Sequence, residues 1–337
     1  MRSEEMIKRL AREAGFDLCG IASLGSPPAA LQELKTWLAQ GRQGDMAWME
    51  RQAEKRLDPK RILSGAQSLI CVGLIYNTDQ PYSTELFPLD GQGDPKPAEG
   101  KGWISRYAWG EDYHAVMARR LAVLERALRT EVDACADYRS YCDTGPVSEK
   151  VWAAAAGLGW QGKNTNLINQ RLGSWFFLAE ILCTLPLEPD PPALDHCGNC
   201  TRCLDACPTQ AFPKAYELDA SRCLSYLTIE KKGELPPEFQ ASLGANVYGC
   251  DICQDVCPWN RTRVLGHEPA FEARPGLLAP ALSELESMDD ASFAARFRDS
   301  SMKRTKAAGL RRNATAVSRA RANSVPKEPE RSDGNRL

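Results

Sequence analysis

Residues 197–208 read Cys197-Gly-Asn-Cys200-Thr-Arg-Cys203-Leu-Asp-Ala-Cys207-Pro208. The spacing C-x2-C-x2-C-x3-C-P is the ligand run of bacterial iron–sulfur proteins. A second run, Cys250-Asp-Ile-Cys253-Gln-Asp-Val-Cys257-Pro258, follows, and Cys223 lies between the two. Eight cysteines match two four-iron clusters with four thiolates each. Such a chain handles electrons one at a time, at low potential.

Spacing also predicts the pairing. Two residues between cysteines let neighbouring thiolates wrap one cluster, and the cysteine before proline reaches the other cluster. Cluster one then takes Cys197, Cys200, Cys203 and Cys257. Cluster two takes Cys207, Cys250, Cys253 and, to complete four, Cys223. Structural zinc on the C-x2-C pairs is the competing reading, disfavoured by the Cys-Pro endings and the count of thiolates. A disulfide framework requires an oxidising compartment, whereas the start Met-Arg-Ser-Glu-Glu-Met-Ile-Lys reads as a charged helix, not a signal sequence.

The 337 residues suffice for two or three domains. At 43% hydrophobic and 26% charged, the composition is that of a globular protein, and a net charge of −2 gives no general attraction to nucleic acid. No apolar run reaches the length of a membrane span, and a cytoplasmic location is expected. Cys19, Cys71, Cys135, Cys142 and Cys183 are expected as buried free thiols.

Before the cysteine runs, patterns of period two and 3.6 alternate. Helices are expected at 3–14, 31–40, 111–130 and 148–156, and strands at 16–22, 68–76, 132–138 and 175–184. Residues 77–102 read as a long loop. The fold class is α+β: an α/β-layer reductase domain over 1–185, an inserted ferredoxin-like two-cluster module over 186–260, a helical region over 261–320, and a disordered tail over 321–337. A ferredoxin needs only about 60 residues for two clusters, so the large first domain must hold the use for the electrons. It has no Walker loop. Gly157-Leu-Gly159-Trp-Gln-Gly162 has dinucleotide-loop spacing but follows a helix, not a strand.

Several segments together resemble epoxyqueuosine reductases: Ser105-Arg-Tyr-Ala-Trp-Gly-Glu-Asp-Tyr-His114, Asp143-Thr-Gly-Pro-Val-Ser-Glu-Lys150, Gly157-Leu-Gly-Trp-Gln-Gly-Lys-Asn-Thr165, Gly173-Ser-Trp175 and Ser225-Tyr-Leu-Thr-Ile-Glu230. With the cysteine pattern, the resemblance covers roughly residues 5 to 315. It implies kinship with cobalamin-dependent reductive dehalogenases. It also implies a bound cobalamin (cob(II)alamin), two [4Fe-4S] clusters, and reduction of the epoxide of epoxyqueuosine at the tRNA wobble position to queuosine. Implied partners are tRNA carrying epoxyqueuosine and an external low-potential electron donor, with the enzyme a monomer and no membrane involved. The alternatives are a reductive dehalogenase-like corrinoid enzyme and an electron-transfer ferredoxin-type protein.

The resemblance makes Asp143 the proton donor, with a carboxyl pKa expected to be raised by burial beside an apolar cofactor. It points to Arg106, Tyr107, Lys163, Asn166, Ser225, Gly249 and Asp251, with Asp143 and Arg61, as cobalamin contacts. Asp112-Tyr113-His114 begins like a D-x-H-x-x-G cobalamin motif, but Met117 replaces the glycine, so cobalt without a histidine ligand is expected. Residues 301–324 carry seven Lys or Arg and no Asp or Glu, which reads either as a solvated face or as an RNA-backbone contact, the latter expected to involve Arg311 and Arg312. Gly309-Leu-Arg-Arg-Asn-Ala314 resembles the first of the family's C-terminal helical repeats.

Overall fold

The computed structural model describes residues 2–25, 27–90 and 100–324. Four strands form the central sheet: β1 (Leu18–Ser23), β2 (Ser68–Ile75), β3 (Tyr138–Tyr141) and β4 (Phe176–Cys183), in the order β1-β2-β4-β3. Every neighbouring pair is antiparallel, with Ser68 opposite Cys183 and Tyr141 opposite Glu180. The sheet therefore belongs to an α+β layer fold rather than to a parallel doubly wound one. β2 is buried at all eight positions, because helices cover both faces.

One face packs α1 (Ser3–Glu13) and α3 (Tyr113–Glu131) against Ile70, Val72, Ala179 and Ile181. Ile7 and Leu10 of α1, and Leu121, Leu124 and Leu128 of α3, recur at helical spacing and are buried there. Each such side chain contributes about 1.5–3 kcal/mol of burial. Asp112 caps α3, its carboxylate accepting the His114 N–H at 3.1 Å. The opposite face carries α4 (Glu149–Ala155), whose Trp152 and Ala153 pack on Leu69, Cys71 and Leu182. α2 (Ala30–Ala39) lies further out and buries only Leu31.

A second core joins three parts of the chain. Trp103, Trp109, Leu224, Leu227, Val247 and Tyr248 pack with α5 (Leu282–Ser287), α6 (Asp290–Arg296) and α7 (Lys306–Ser324). Trp103–Ile104 and Asn246–Tyr248 form a two-stranded parallel ladder that ties the first region to the segment leading into the second cysteine run.

Local chemistry accounts for the departures from expectation. The strand foreseen at 132–138 begins only at Tyr138, because Asp133 turns the chain by accepting the Cys135 N–H at 2.7 Å. The loop foreseen at 77–102 contains a short helix, Ser83–Leu86, and its residues 91–99 lie outside those described. The disordered tail foreseen from 321 is helical to Ser324, and 325–337 lie outside the described residues. Cys135 is exposed, while Cys71, Cys142 and Cys183 are buried. The Gly157 spacing is explained by helix ending and close packing. Gly157 has φ +76° just beyond α4, and a Cβ at Gly159 would stand 2.2 Å from the Ile168 carbonyl.

Candidate active site

The two cysteine runs fold alike. In each, a short helix (Arg202–Asp205 or Ile252–Asp255) follows the first cysteines, and a Cys-Pro turn closes the run. N–H donors point at sulfur: Trp160 Nε1 lies 3.5 Å from Cys197 Sγ, the Ala211 amide 3.3 Å from Cys207 Sγ, and Asn166 Nδ2 3.8 Å from Cys253 Sγ. Such bonds stabilise thiolate charge and tune cluster potential.

The thiols also influence one another in two groups. Burial and then Cys257, Cys197 and Cys200 push Cys203 up to about 11. Burial raises Cys257, with Cys197 and Cys200 acting in the same direction. In the other group burial raises Cys223, aided by Cys207, and holds Cys250 well above the ordinary thiol, aided by Cys253 and Cys223. Cys253 is raised by burial and by Cys223, Cys207 and Cys203. Cys203 thus feels Cys257, Cys197 and Cys200, while Cys223, Cys250 and Cys253 feel one another and Cys207, and Cys203 also acts on Cys253. Crowded buried thiols ionise only with cations between them, and iron supplies that charge. Among the described residues no three His, Cys, Asp or Glu side chains close on a point as a single metal ion would need. A cube with eight core atoms spreads its ligands more widely.

A cleft of about 310 Å³ opens beside the second group. Tyr76, Tyr107, Tyr113, Phe176 and Phe177 wall it, with Asn166, Ser174 and Gln254 among its polar lining. Asn166 and Gln254 also border Cys253, so this cleft adjoins the Cys207–Cys223–Cys250–Cys253 set. Aromatic walls with a few polar groups suit a flat macrocycle.

Asp143 projects into the cleft from the turn after β3, at φ +59°. Its side chain is 59% accessible and is part of the cleft lining. Tyr113 donates its hydroxyl to Asp143 Oδ2 at 2.9 Å, and His114 Nε2 lies 3.2 Å from the same oxygen. His114 Nδ1 lies 2.7 Å from Asp112 Oδ1. Burial lowers the proton affinity of His114, but the two carboxylates outweigh it and bring its pKa to about 9. The ring is therefore an imidazolium that donates from both nitrogens. The Asp143 carboxyl, expected to be raised, is instead lowered. Burial pushes it up, and the bonds from His114 and Tyr113 more than offset this. The proton thus rests on His114. The raised carboxyls lie behind Asp143: Glu149 reaches about 7 through burial and the Asp143 charge, and Glu180 goes well above the carboxylate range through burial and Glu149.

The expected cofactor contacts divide. Tyr107, Asp143 and Asn166 line the cleft. Arg106 does not. It is 2% exposed, donates to Thr78, Gln80 and Pro81 carbonyls at 2.8–3.2 Å, and stacks on Tyr82, Trp109 and Trp175. Asp251 is 1% exposed and accepts from Trp103 Nε1, the Ser105 hydroxyl and the Arg106 amide. Both side chains are committed to the fold. Lys163 braces the loop of the first cluster through the carbonyls of Gly198 and Cys200, at 2.6 and 3.0 Å. The Ser225 amide faces Cys223, and the Gly249 amide donates to Thr228. Arg61 is exposed beside Glu54 and Asp58. None of these four lines the cleft.

Residue-type reasoning missed His114, Tyr113, Glu149 and Glu180. The first three sat inside quoted motifs. Glu180 was legible as an ionisable residue within the apolar run Phe176–Cys183. The basic stretch is corrected too. Arg311 donates to the Met288 carbonyl and Asp290, and Arg312 to the carbonyls of Leu227, Lys231 and Gly233. The exposed cations there include Lys303, Arg304 and Lys306, and the charges of Lys303 and Arg304 reach Asp112 and Asp143 at the cleft.

A family model described as epoxyqueuosine reductase QueG, DUF1730, matches residues 56–144, and one described as a 4Fe-4S double cluster binding domain matches 196–260. An epoxyqueuosine reductase of Cellulophaga algicola is 41% identical over 312 residues, covering 93% of this chain and 97% of that protein. The chain belongs to the epoxyqueuosine reductase family. A Synechocystis member is 45% identical over 289 residues, covering 85% of this chain and 94% of that one. Among solved structures, an epoxyqueuosine reductase bound to a tRNA-Tyr epoxyqueuosine-modified stem loop superposes with TM-score 0.82 at 33% identity, over 93% of this chain and 80% of that one. The Streptococcus thermophilus epoxyqueuosine reductase gives TM-score 0.80 at 29% identity, over 95% and 82%. As a member of the epoxyqueuosine reductase family the protein is an oxidoreductase, and its 196–260 region is a double 4Fe-4S module. No helix among the described residues is long and apolar enough to cross a membrane.

Proposed function

We propose that the protein reduces the epoxide of epoxyqueuosine in tRNA to the alkene of queuosine, in the cytoplasm, as a monomer fed by an external low-potential electron donor. The observation that carries this reading is a cleft with a His114–Asp143 proton couple on one wall and the Cys253 group on another. Epoxide deoxygenation needs both supplies: the ring oxygen takes two electrons and two protons and leaves as water.

Cys197, Cys200, Cys203 and Cys257 would hold one cluster, and Cys207, Cys223, Cys250 and Cys253 the other, supplying single electrons. A cobalamin in the cleft would supply a two-electron reducing centre, with Tyr107, Asn166 and the aromatic walls against it. The chain's own residues then handle protons and water. Tyr113, whose pKa is raised far by burial and Asp143, stays protonated and orients Asp143. His114 holds the proton 3.2 Å away, and Asp143 delivers it to the epoxide oxygen. Lys303, exposed and near enough for its charge to act on Asp112, and the exposed Lys306 suit RNA phosphates, while Arg304 is held bidentate by Glu230. A Bacillus subtilis epoxyqueuosine reductase has been seen with its catalytic loop swung out of the active site, and we read the Asp143 turn as the corresponding loop.

The test is anaerobic turnover of epoxyqueuosine-containing tRNA by protein reconstituted with iron, sulfide and cobalamin. Queuosine should appear only with a reductant. Protein that loads both clusters and the corrinoid yet leaves the epoxide intact rules the reading out. A visible spectrum with clusters and no corrinoid, after incubation with cobalamin, would instead point to an electron carrier.

A further inference from the structure

We propose that Glu149 and Glu180 form a carboxyl pair that stores the second proton of the reaction and passes it to Asp143. The proposal rests on the functional reading above. His114 and Asp143 hold one proton between them, and removing the epoxide oxygen as water consumes two.

The geometry behind Asp143 provides a second store. Glu180 stands in the middle of β4, between Cys71 on β2 and Tyr141 on β3, and is 1% exposed. Neither of its oxygens has an N–H or hydroxyl donor. The carboxyl nearest in influence is that of Glu149, at the start of α4, which packs on the same face of the sheet as Cys71, the partner of Glu180 across the strands. Two carboxyls sharing a buried site favour the state in which one keeps a proton. The nearby cation, Arg56, gives Nη1 to the Val147 carbonyl at 2.8 Å and leaves Nε without a partner. It acts on the pair by charge alone. The titratable groups facing the pair are Asp143, Arg56, Lys150, Tyr113, Cys71 and Cys142. Asp143 and the burial oppose a second negative charge more strongly than Arg56 favours it, so one proton is retained near neutrality.

A path from this store to the substrate is built in. Glu149 accepts the Asp143 amide N–H and lines the same cleft as the Asp143 carboxylate. Glu180 gives its proton to the Glu149 carboxylate, and Glu149 gives it to the Asp143 carboxylate emptied by the first transfer. Asp143 then protonates the hydroxyl left by ring opening. The second C–O bond breaks, the alkene forms with the two electrons supplied by the external donor, and water leaves. Solvent restores the pair's proton through the cleft.

The experiment uses the full chain with its clusters. Infrared difference titration follows the protonated-carboxyl band across neutral pH in the wild type, Glu180→Gln and Glu149→Gln, independently of any substrate. In parallel, turnover is measured against pH in water and in deuterium oxide. The wild type should show a protonated carboxyl that persists through neutral pH and is absent from both variants. Turnover in the variants should fall by about 10²-fold, as for loss of a proton-transfer group. The proposal is overturned if the wild type has no such carboxyl, or if folded Glu180→Gln keeps wild-type turnover and pH profile. Should Glu180→Gln not fold, Glu149→Gln decides by the same readings. A wild type that shows the carboxyl but reduces no epoxyqueuosine would fail the functional reading alone.

Discussion

His114 stands 3.2 Å from Asp143 and carries the charge that keeps Asp143 ionised. Proton donor and proton source are therefore two residues, and the acid is their couple. His114 gains its proton affinity from Asp112 on one nitrogen and Asp143 on the other, against the pull of burial.

From that couple, Asp143→Asn should lower turnover by roughly 10²–10⁴-fold while leaving cluster content and tRNA affinity unchanged. His114→Gln should fall in the same range. Because the His114 pKa is raised to about 9, the imidazolium is present below that pH and lost above it, so wild-type turnover should decline through this pH. Steady-state rates from neutral to alkaline pH test this. A His114→Gln enzyme at near-normal rate would show that Asp143 takes its proton from water.

Cluster loading tests the pairing of the cysteines. Anaerobically purified protein should contain about eight iron and eight sulfide per chain, and Cys223→Ala about half. The surviving electron paramagnetic resonance signal should be that of the Cys197–Cys200–Cys203–Cys257 cluster. Two intact clusters in Cys223→Ala would refute the assignment.

The basic stretch should divide by exposure. Lys303→Ala and Lys306→Ala should each weaken tRNA binding and flatten its salt dependence by about one unit of slope. Arg312→Ala orphans three carbonyls and should cost about 1–3 kcal/mol of stability without changing that slope. Filter binding across a salt series, with thermal melts, separates the two effects. Equal salt slopes for the wild type and both lysine variants would remove this rim from the RNA interface.

Arg106 supplies a fourth test. Its guanidinium sits among three aromatic rings and holds the 78–81 segment, with Asp251 nearby. Arg106→Met should destabilise the protein by about 1–3 kcal/mol for each of the buried carbonyls of Thr78, Gln80 and Pro81 that it leaves unpaired. Any corrinoid bound by protein that remains folded should keep its affinity. Stable protein with weakened corrinoid binding would return Arg106 to the cofactor contacts.

The sequence by itself determined what depends on local spacing. Cysteine intervals and Cys-Pro turns specify two groups of four thiolates, because a cube accepts only certain loop lengths. Periodicity located most helices and strands, and the quoted motifs identified the family. Tertiary structure decided what depends on neighbours distant in the chain. Arg106 and Asp251 look like ligands in a motif, but the ladder between 103–104 and 246–248 buries them together in the interior. Arg311 and Arg312 look like RNA contacts, but the packing of α7 turns them onto carbonyls. The charge state of Asp143 could not be read locally either, because burial and hydrogen bonding push a carboxyl in opposite directions. The approach of His114 and Tyr113 from another element determines which prevails.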